Sequence, residues 1–130
     1  MPSVDVAKVA KGVLEAAGYR DACVKRFDTF TGREAICVRQ MQPTVTERYM
    51  DGTQEIEQPY EVIVRRRSAA DARETCCAVA ELLEDAPLPS ENGSYRFTSG
   101  RVYLEPQELE LDEAGFFAWS VVMAATIETN

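Results

Sequence analysis

Four cysteines are the first residues that could do chemistry: Cys23, Cys37, Cys76 and Cys77, in a chain of 130 residues without histidine. A structural zinc site needs four thiolate or imidazole ligands, usually in two closely spaced pairs, and this spacing is absent. Cys76 and Cys77 are adjacent in a predicted helix, so their side chains diverge by roughly 100°. A nucleophilic Cys23 or Cys37 would lack the neighbouring base that activates a thiol. We therefore interpret the cysteines as small buried apolar residues and predict no cofactor and no metal.

A cluster of carboxylates around and after Pro106 is the second chemical candidate. Its members are Glu105, Glu108, Glu110, Asp112 and Glu113. Their spacing does not match an EF-hand loop, whose oxygen ligands occupy fixed positions around a central glycine. The chain also has no phosphate-binding loop and no nucleophile elbow that could complete an active site. We interpret the cluster as a solvated acidic loop and predict that the protein is not an enzyme.

Three consecutive arginines, Arg65 to Arg67, are the third candidate. On a strand, Arg65 and Arg67 point to one face and Arg66 to the other, so the three do not form a single phosphate clamp. The simplest interpretation is a solvated strand end. The alternative is that Arg65 and Arg67 bind acidic residues of an adjacent subunit, because head-to-tail association brings different surfaces of one protein together. The acidic partners would be Glu108, Glu110 and Asp112.

Charge is divided unevenly along the chain. Residues 1–67 carry eleven Lys or Arg and ten Asp or Glu, whereas residues 68–130 carry three and twelve, and the net charge is −8. This acidic excess disfavours sequence-specific binding of nucleic acid, which needs a basic patch. No apolar run approaches the ~20 residues of a membrane-spanning helix, and the first residues lack the order of a signal peptide. We expect one domain, residues 1–130, made and kept in the cytosol.

Two helices are predicted from caps and apolar spacing. The first covers about residues 3–17, with Ser3 as its cap and Gly18 as its stop. The second begins after Ser68, with Asp71 in the capping-box position, and ends before Pro87. Its buried stripe comprises Ala69, Ala72, Cys76, Val79, Ala80 and Leu83.

Strands account for most of the remaining chain. Alternation and turn signals predict a short strand within 19–33, a strand over 35–40 and a hairpin over 44–57 whose returning strand ends at Pro59. A further strand begins at Tyr60. Two strands at about 94–98 and 101–105 are joined at Ser99-Gly100, and a last strand covers Phe117–Glu128. The last strand places Trp119, Val121, Met123, Ala125 and Ile127 on one face. The sequence thus predicts an α+β fold, with a mostly antiparallel sheet, two helices packed on one face and a projecting β-hairpin.

The hairpin 44–57 is predicted to turn at Asp51-Gly52 through a two-residue type I′ turn. Its strands are too polar to form a core on either face, yet Tyr49, Met50 and Ile56 lie near the turn. Aromatic residues and Met are enriched at the centres of interfaces. We therefore predict that these residues, with Asp51 and Gly52, contact another subunit.

Several short sequence segments follow one another in a recognisable order. They are Ile36-Cys-Val-Arg39, Arg48-Tyr-Met-Asp-Gly-Thr53, the strand from Pro59 to Arg65, the helix at 72–83, Asn92 to Phe97, Val102 to Pro106 and Gly115 to Trp119. This order resembles the minor capsid protein family of long-tailed bacteriophages, head-to-tail joining proteins similar to tail terminators. The resemblance implies a structural virion protein, assembled in the host cytoplasm and placed at the head-proximal end of the tail. It also implies a homo-oligomeric ring, typically a hexamer, that stops polymerisation of the tail tube protein and binds the head–tail connector protein.

Two other functions are left open by the sequence. One is a head-completion or connector adaptor that stays with the capsid. The other is a small monomeric ligand-binding domain, from which the mass of the protein in solution would distinguish a ring.

Overall fold

The computed structural model describes residues 5–19, 22–23, 35–109 and 116–129, which form two helices and one six-stranded sheet. The helices are α1 (Val6–Ala16) and α2 (Ala69–Asp85), and the strands are β1 (Ala22–Cys23), β2 (Ala35–Gln40), β3 (Thr44–Arg48), β4 (Gln54–Arg66), β5 (Arg96–Glu108) and β6 (Phe117–Thr129). The strand order is β1-β2-β4-β6-β5, and β3 pairs with β4 beyond the end of β2. The short β1–β2 pair is parallel and the others are antiparallel. The predicted α+β fold is confirmed.

Both predicted helices form, and their ends follow local chemistry. The Ser68 side chain accepts a hydrogen bond from the backbone N–H of Asp71, as the capping-box pattern predicts. Helix α1 starts at Val6, after Asp5, and the predicted cap Ser3 lies outside the described residues. At its end, Gly18 has φ of 103°, and the N–H of Tyr19 donates to the carbonyl of Leu14, which is the Schellman arrangement. Of the short strand predicted within 19–33, only Ala22–Cys23 is described as strand.

The core lies between the helices and one face of the sheet. In that face, Val62 is opposite Val121 and Tyr60 is opposite Met123, and all four are almost completely buried. Helix α2 packs on this face through Ala72, Cys76, Val79 and Leu83, which are all 0% exposed, and through Ala80. Ala69, which was predicted to belong to the same stripe, is exposed in the first turn of the helix, so the prediction is wrong for this residue. Full burial of one aliphatic side chain such as Val79 or Leu83 contributes about 1.5–3 kcal/mol to stability. The apolar stripes of β6 and α2 therefore form the core that their spacing predicts.

Strand β5 differs from its prediction. The sequence indicates two strands joined at Ser99-Gly100, whereas β5 is one strand of 13 residues. Gly100 is not among the described glycines with positive φ, and it lies opposite Ala125 in the ladder with β6. The pairing absorbs the irregular sequence through register shifts between Phe97 and Ser99, between Val102 and Leu104, and between Leu104 and Gln107. The predicted turn is wrong because these bulges, and not a reversal of the chain, accommodate Ser99-Gly100.

Pro59 was also predicted to end a strand, but β4 runs through it from Gln54 to Arg66. The carbonyl of Pro59 accepts from the N–H of Met41 at 3.0 Å, so its ring nitrogen faces the same neighbour without a proton to donate. The side-chain amide of Gln58 supplies the missing donor, because its Nε2 lies 2.7 Å from the Met41 carbonyl oxygen. Gln58 is 1% exposed. This substitution of a side-chain donor for a backbone donor explains how a proline lies within an interior strand.

Candidate interaction surface

The loop of the β3–β4 hairpin is ordered by its own hydrogen bonds. The N–H of Tyr49 donates to the Thr53 carbonyl at 2.9 Å, and the N–H of Gly52 donates to the Tyr49 carbonyl at 3.2 Å. Gly52 has φ of 91°, whereas no other type of residue in the described chain has positive φ. The loop therefore has three residues, Met50 to Gly52, with glycine in the left-handed position. The predicted two-residue type I′ turn is wrong, because it would require positive φ at Asp51 as well.

Asp51 holds the loop through its side chain. Its Oδ1 accepts hydrogen bonds from the backbone N–H of Thr53 at 3.0 Å and from the Thr53 hydroxyl at 2.7 Å. These bonds favour the ionised carboxylate and keep the pKa of Asp51 below its usual value. The local bonds also favour a turn at Asp51 with ordinary φ, which is why the longer loop forms.

The predicted contact residues of the hairpin separate into two groups. Met50 is 107% exposed and Tyr49 is 40% exposed, so both lie at the surface. Ile56 instead packs against the core and lies opposite Ile127 of β6. We call Tyr49 to Gly52 the hairpin tip. Since Thr129 at the end of β6 pairs with Gln54, the tip extends past the last residue of β6 that pairs with β4, and β3 is exposed along its whole length.

The surroundings of the hairpin tip are acidic. Desolvation raises the pKa of Tyr49, and the nearby carboxylates of Glu55 and Glu47 raise it further. Arg48 forms no ion pair with the described residues. The tip therefore offers an aromatic ring and a thioether in a negatively charged setting.

The three arginines are divided as their alternation predicts. The guanidinium groups of Arg65 and Arg67 lie 4.2 Å and 4.8 Å from the centroid of the Phe116 ring, so both side chains are on one face. The Arg66 side chain donates to the Arg65 carbonyl, and its Nε lies 3.9 Å from a carboxylate oxygen of Asp71. Arg65 is only 4% exposed, whereas Arg67 is exposed. A contact with the acidic segment of a neighbouring subunit therefore rests on Arg67 and stays a prediction.

The acidic candidates are placed only in part. Glu105 and Glu108 are exposed residues of β5, so the predicted acidic loop is wrong for this part of the cluster. Glu108 lies opposite Trp119, and Glu110 and Asp112 lie outside the described residues. Within the described residues, no group of three or more His, Cys, Asp or Glu side chains could hold a metal ion. No helix in the same part of the chain is long and apolar enough to cross a membrane.

The sheet face opposite the helices, which we call the open face, carries a feature that the sequence did not reveal. A hollow of about 250 Å³ lies there, and its lining residues are Met41, Gln42, Thr44, Glu57, Pro59 and Tyr103. Two cross-strand ion pairs flank it. Arg39 binds Glu61 at 2.7 Å, and Arg101 binds Glu57 across β6, above the small side chains of that strand.

A sequence model of the family described as "Bacteriophage tail terminator protein" matches residues 11–129. The chain belongs to this family. Among solved structures, it is similar to a chain of "Virion of native gene transfer agent (GTA) particle", with 16% sequence identity, a TM-score of 0.61 and coverage of 89% of this chain and 84% of that chain. At this identity the likeness shows a shared fold. A search of curated protein sequences finds no match.

Family membership confirms the resemblance seen in the sequence and makes the protein a structural component of a phage virion, with a role in the tail or in head-to-tail joining. The hairpin tip was found from the sequence because its turn signal is local. The hollow was missed because Met41, Pro59 and Tyr103 come together only through the pairing of four strands.

The burial predicted for the cysteines is found at Cys37 and Cys76, but it is wrong for Cys77, which is exposed. The two adjacent thiols of Cys76 and Cys77 diverge, as expected for neighbours in a helix. Burial raises the pKa of the Cys76 thiol to about 12, which keeps it protonated at neutral pH. The side chain of Cys23 lies outside the described residues.

Proposed function

We propose that this tail terminator-family protein is the subunit of a homo-oligomeric ring at the head-proximal end of the tail. The ring stops polymerisation of the tail tube protein and offers its other surface to the head–tail connector protein. The family match over residues 11–129 supports the place of the protein in the virion. The sequence resemblance implies six subunits.

The observation that carries the proposed mode of assembly is the ordered hairpin tip with its fully exposed Met50. Monomeric proteins expose single apolar side chains without consequence, but such a side chain on a rigid, hydrogen-bonded loop is well suited to insertion into a neighbour. The tip lies at the end of the β3–β4 hairpin, beyond the part of β4 that pairs with β6. Contacts between different surfaces of identical subunits produce rings when the rotation closes.

The acidic charge of the chain supports a structural role beside DNA. The net charge is −8, so a ring formed by several copies would carry an excess of negative charge as a whole. Like charge opposes adhesion of the DNA phosphates, and the genome could pass without being held.

The proposal is tested with purified protein and purified tail tube protein. Sedimentation velocity and negative-stain microscopy should show rings, and added rings should bind tube ends and arrest their growth at a defined length. Tubes that elongate unchanged in the presence of a monomeric protein would overturn the proposal. Binding to connector-bearing capsids without binding to tubes would select a capsid-side adaptor instead.

A further inference from the structure

The hollow on the open face has the size of a site for one side chain. Its volume is about 250 Å³, which is below the roughly 300–1,000 Å³ of sites that enclose small-molecule ligands. Met41, Pro59 and the ring of Tyr103 give it apolar walls, and Tyr103 is 52% exposed beside the opening. An apolar side chain that entered the hollow would cover surface that is otherwise in contact with water.

In the two ion pairs beside the hollow, the arginines are more exposed than the glutamates. Arg39 and Arg101 expose 60% and 55% of their side chains, whereas their partners Glu61 and Glu57 expose 15% and 26%. The guanidinium groups are thus the parts of both ion pairs that an approaching molecule meets first. Arg101 also lies over the ring of Tyr103, 5.2 Å from its centroid, which keeps the cation at the edge of the hollow.

The hairpin tip has the complementary properties. Met50 is completely exposed at its end, and methionine fits irregular apolar cavities because its side chain is unbranched and flexible. The hairpin on either side of Met50 carries the carboxylates of Glu47, Asp51 and Glu55, against the single cation of Arg48. The loop bonds from Asp51 to Thr53 order the backbone before any contact, which reduces the entropy lost on binding.

The tip of one copy cannot enter its own hollow. Pro59 lies seven positions after Gly52 along the extended second half of the hairpin, which corresponds to about 23 Å at ~3.3 Å per residue. The strand pairing of β4 with β6 fixes this separation from Gln54 onward. A contact between tip and hollow must therefore join two copies, and because the surfaces differ, it repeats from copy to copy.

We propose that the hollow on the open face is the receptor for the hairpin tip of a second copy of this chain, with Met50 seated between Met41, Pro59 and Tyr103 and the acidic tip held by Arg39 and Arg101. This inference rests on the proposed ring and specifies its repeating contact. The charges set the orientation of the tip, and the apolar contact at the centre contributes most of the affinity.

The direct test is a disulfide between copies. Met50→Cys and Met41→Cys are prepared separately, each with Cys77→Ser to remove the exposed native thiol, and are labelled with different isotopes. The two proteins are mixed and oxidised at high concentration, with and without tail tube protein, and the linked peptides are identified by mass spectrometry. We expect a 50-to-41 linkage that joins the two labels, which requires Cα atoms within about 7 Å.

Self-association measured by sedimentation equilibrium provides the quantitative arm. Met50→Ser and Tyr103→Ala should each weaken the association at least about tenfold. Arg101→Glu should also weaken it, and the loss should be larger at low salt than at high salt. The matched control is Val45→Ser, which removes an exposed apolar side chain from the other face of the same hairpin and should change little.

Three outcomes would overturn the inference. Oligomers that persist in Met50→Ser, with no 50-to-41 linkage, would leave the ring intact and refute this contact. A linkage from the Met41→Cys protein to the tail tube protein would assign the hollow to a different occupant. A wild-type protein that stays monomeric, together with cysteine variants that stay unlinked even with tail tubes present, would refute both this contact and the proposed ring.

Discussion

Replacing Gln58 by methionine should expose how β4 tolerates its proline. Methionine fills a similar volume but removes the Nε2 donor that lies 2.7 Å from the Met41 carbonyl and 3.0 Å from the Pro59 carbonyl. The Pro59 carbonyl keeps the N–H of Met41 as a donor, so only the Met41 carbonyl loses its partner. Leaving a buried acceptor unsatisfied costs about 1–3 kcal/mol, and this site is partly buried, so we expect a loss of about 1–2 kcal/mol.

The assay is thermal and urea unfolding followed by circular dichroism. For a chain of this length, the expected loss lowers the Tm by roughly 3–10 °C. The control is Pro59→Ala, which restores a backbone N–H at the position that faces Met41. Alone, it should destabilise by about 0.4–1 kcal/mol, because the unfolded chain becomes more flexible.

Coupling between the two substitutions decides the matter. The change in the free energy of unfolding caused by Pro59→Ala should be more favourable by about 1 kcal/mol in the Gln58→Met protein than in the wild type. Only in the Gln58→Met protein does the new N–H at position 59 meet an unsatisfied acceptor, the Met41 carbonyl. If the two effects add within about 0.3–0.5 kcal/mol, the Gln58 amide does not substitute for the missing proton and the explanation is wrong.

Three further predictions concern the core, the hairpin tip and the thiols. Val121→Asp places an unpaired charge in the core and should cost several kcal/mol, so an unchanged Tm would contradict the core assignment. Because the folded-state pKa of Asp51 lies below its unfolded value, the loop order that its carboxylate supports is present above the unfolded pKa and is lost as the pH falls through the folded pKa. The protection of the Gly52 amide from exchange, relative to its intrinsic rate at each pH, should therefore fall over that range, and Asp51→Asn should abolish the dependence. A thiol reagent at neutral pH should modify Cys77 and spare Cys76, and equal rates would contradict the raised pKa of the buried thiol.

The elements with strong local signals could be predicted from the sequence. Helix α2 begins at Ala69 because Ser68 and Asp71 cap it, and both residues are visible as a capping pattern. Strand β6 follows from five apolar residues at period two, and four of them are buried. The alternation does not show in the burial, because Ala118, Ser120, Val122 and Ala124 of the other face are buried as well. These predictions succeed because the residues that decide them are neighbours along the chain.

The errors arose where a distant residue changes the meaning of a local signal. Pro59 is a valid strand terminator unless another donor replaces its N–H, and the amide of Gln58 does so only when Met41 lies alongside. Ser99-Gly100 is a valid turn unless β6 offers a long partner that tolerates bulges. The hollow could not be predicted for the same reason, since its walls depend on the register of β4, β5 and β6.

The irregular pairing of β5 has a consequence for the life of the protein before it reaches a virion. No described strand covers the outer edge of β5, which would otherwise recruit the strands of other copies. Three bulges and Pro106, which lacks a backbone proton, interrupt that edge, so a straight foreign strand could match it over only a few residues. Pairing of copies through this edge into a continuous sheet is thereby hindered. In the proposed ring, recognition between copies would then depend on side chains, whose contacts can break and form again until the correct neighbour is found.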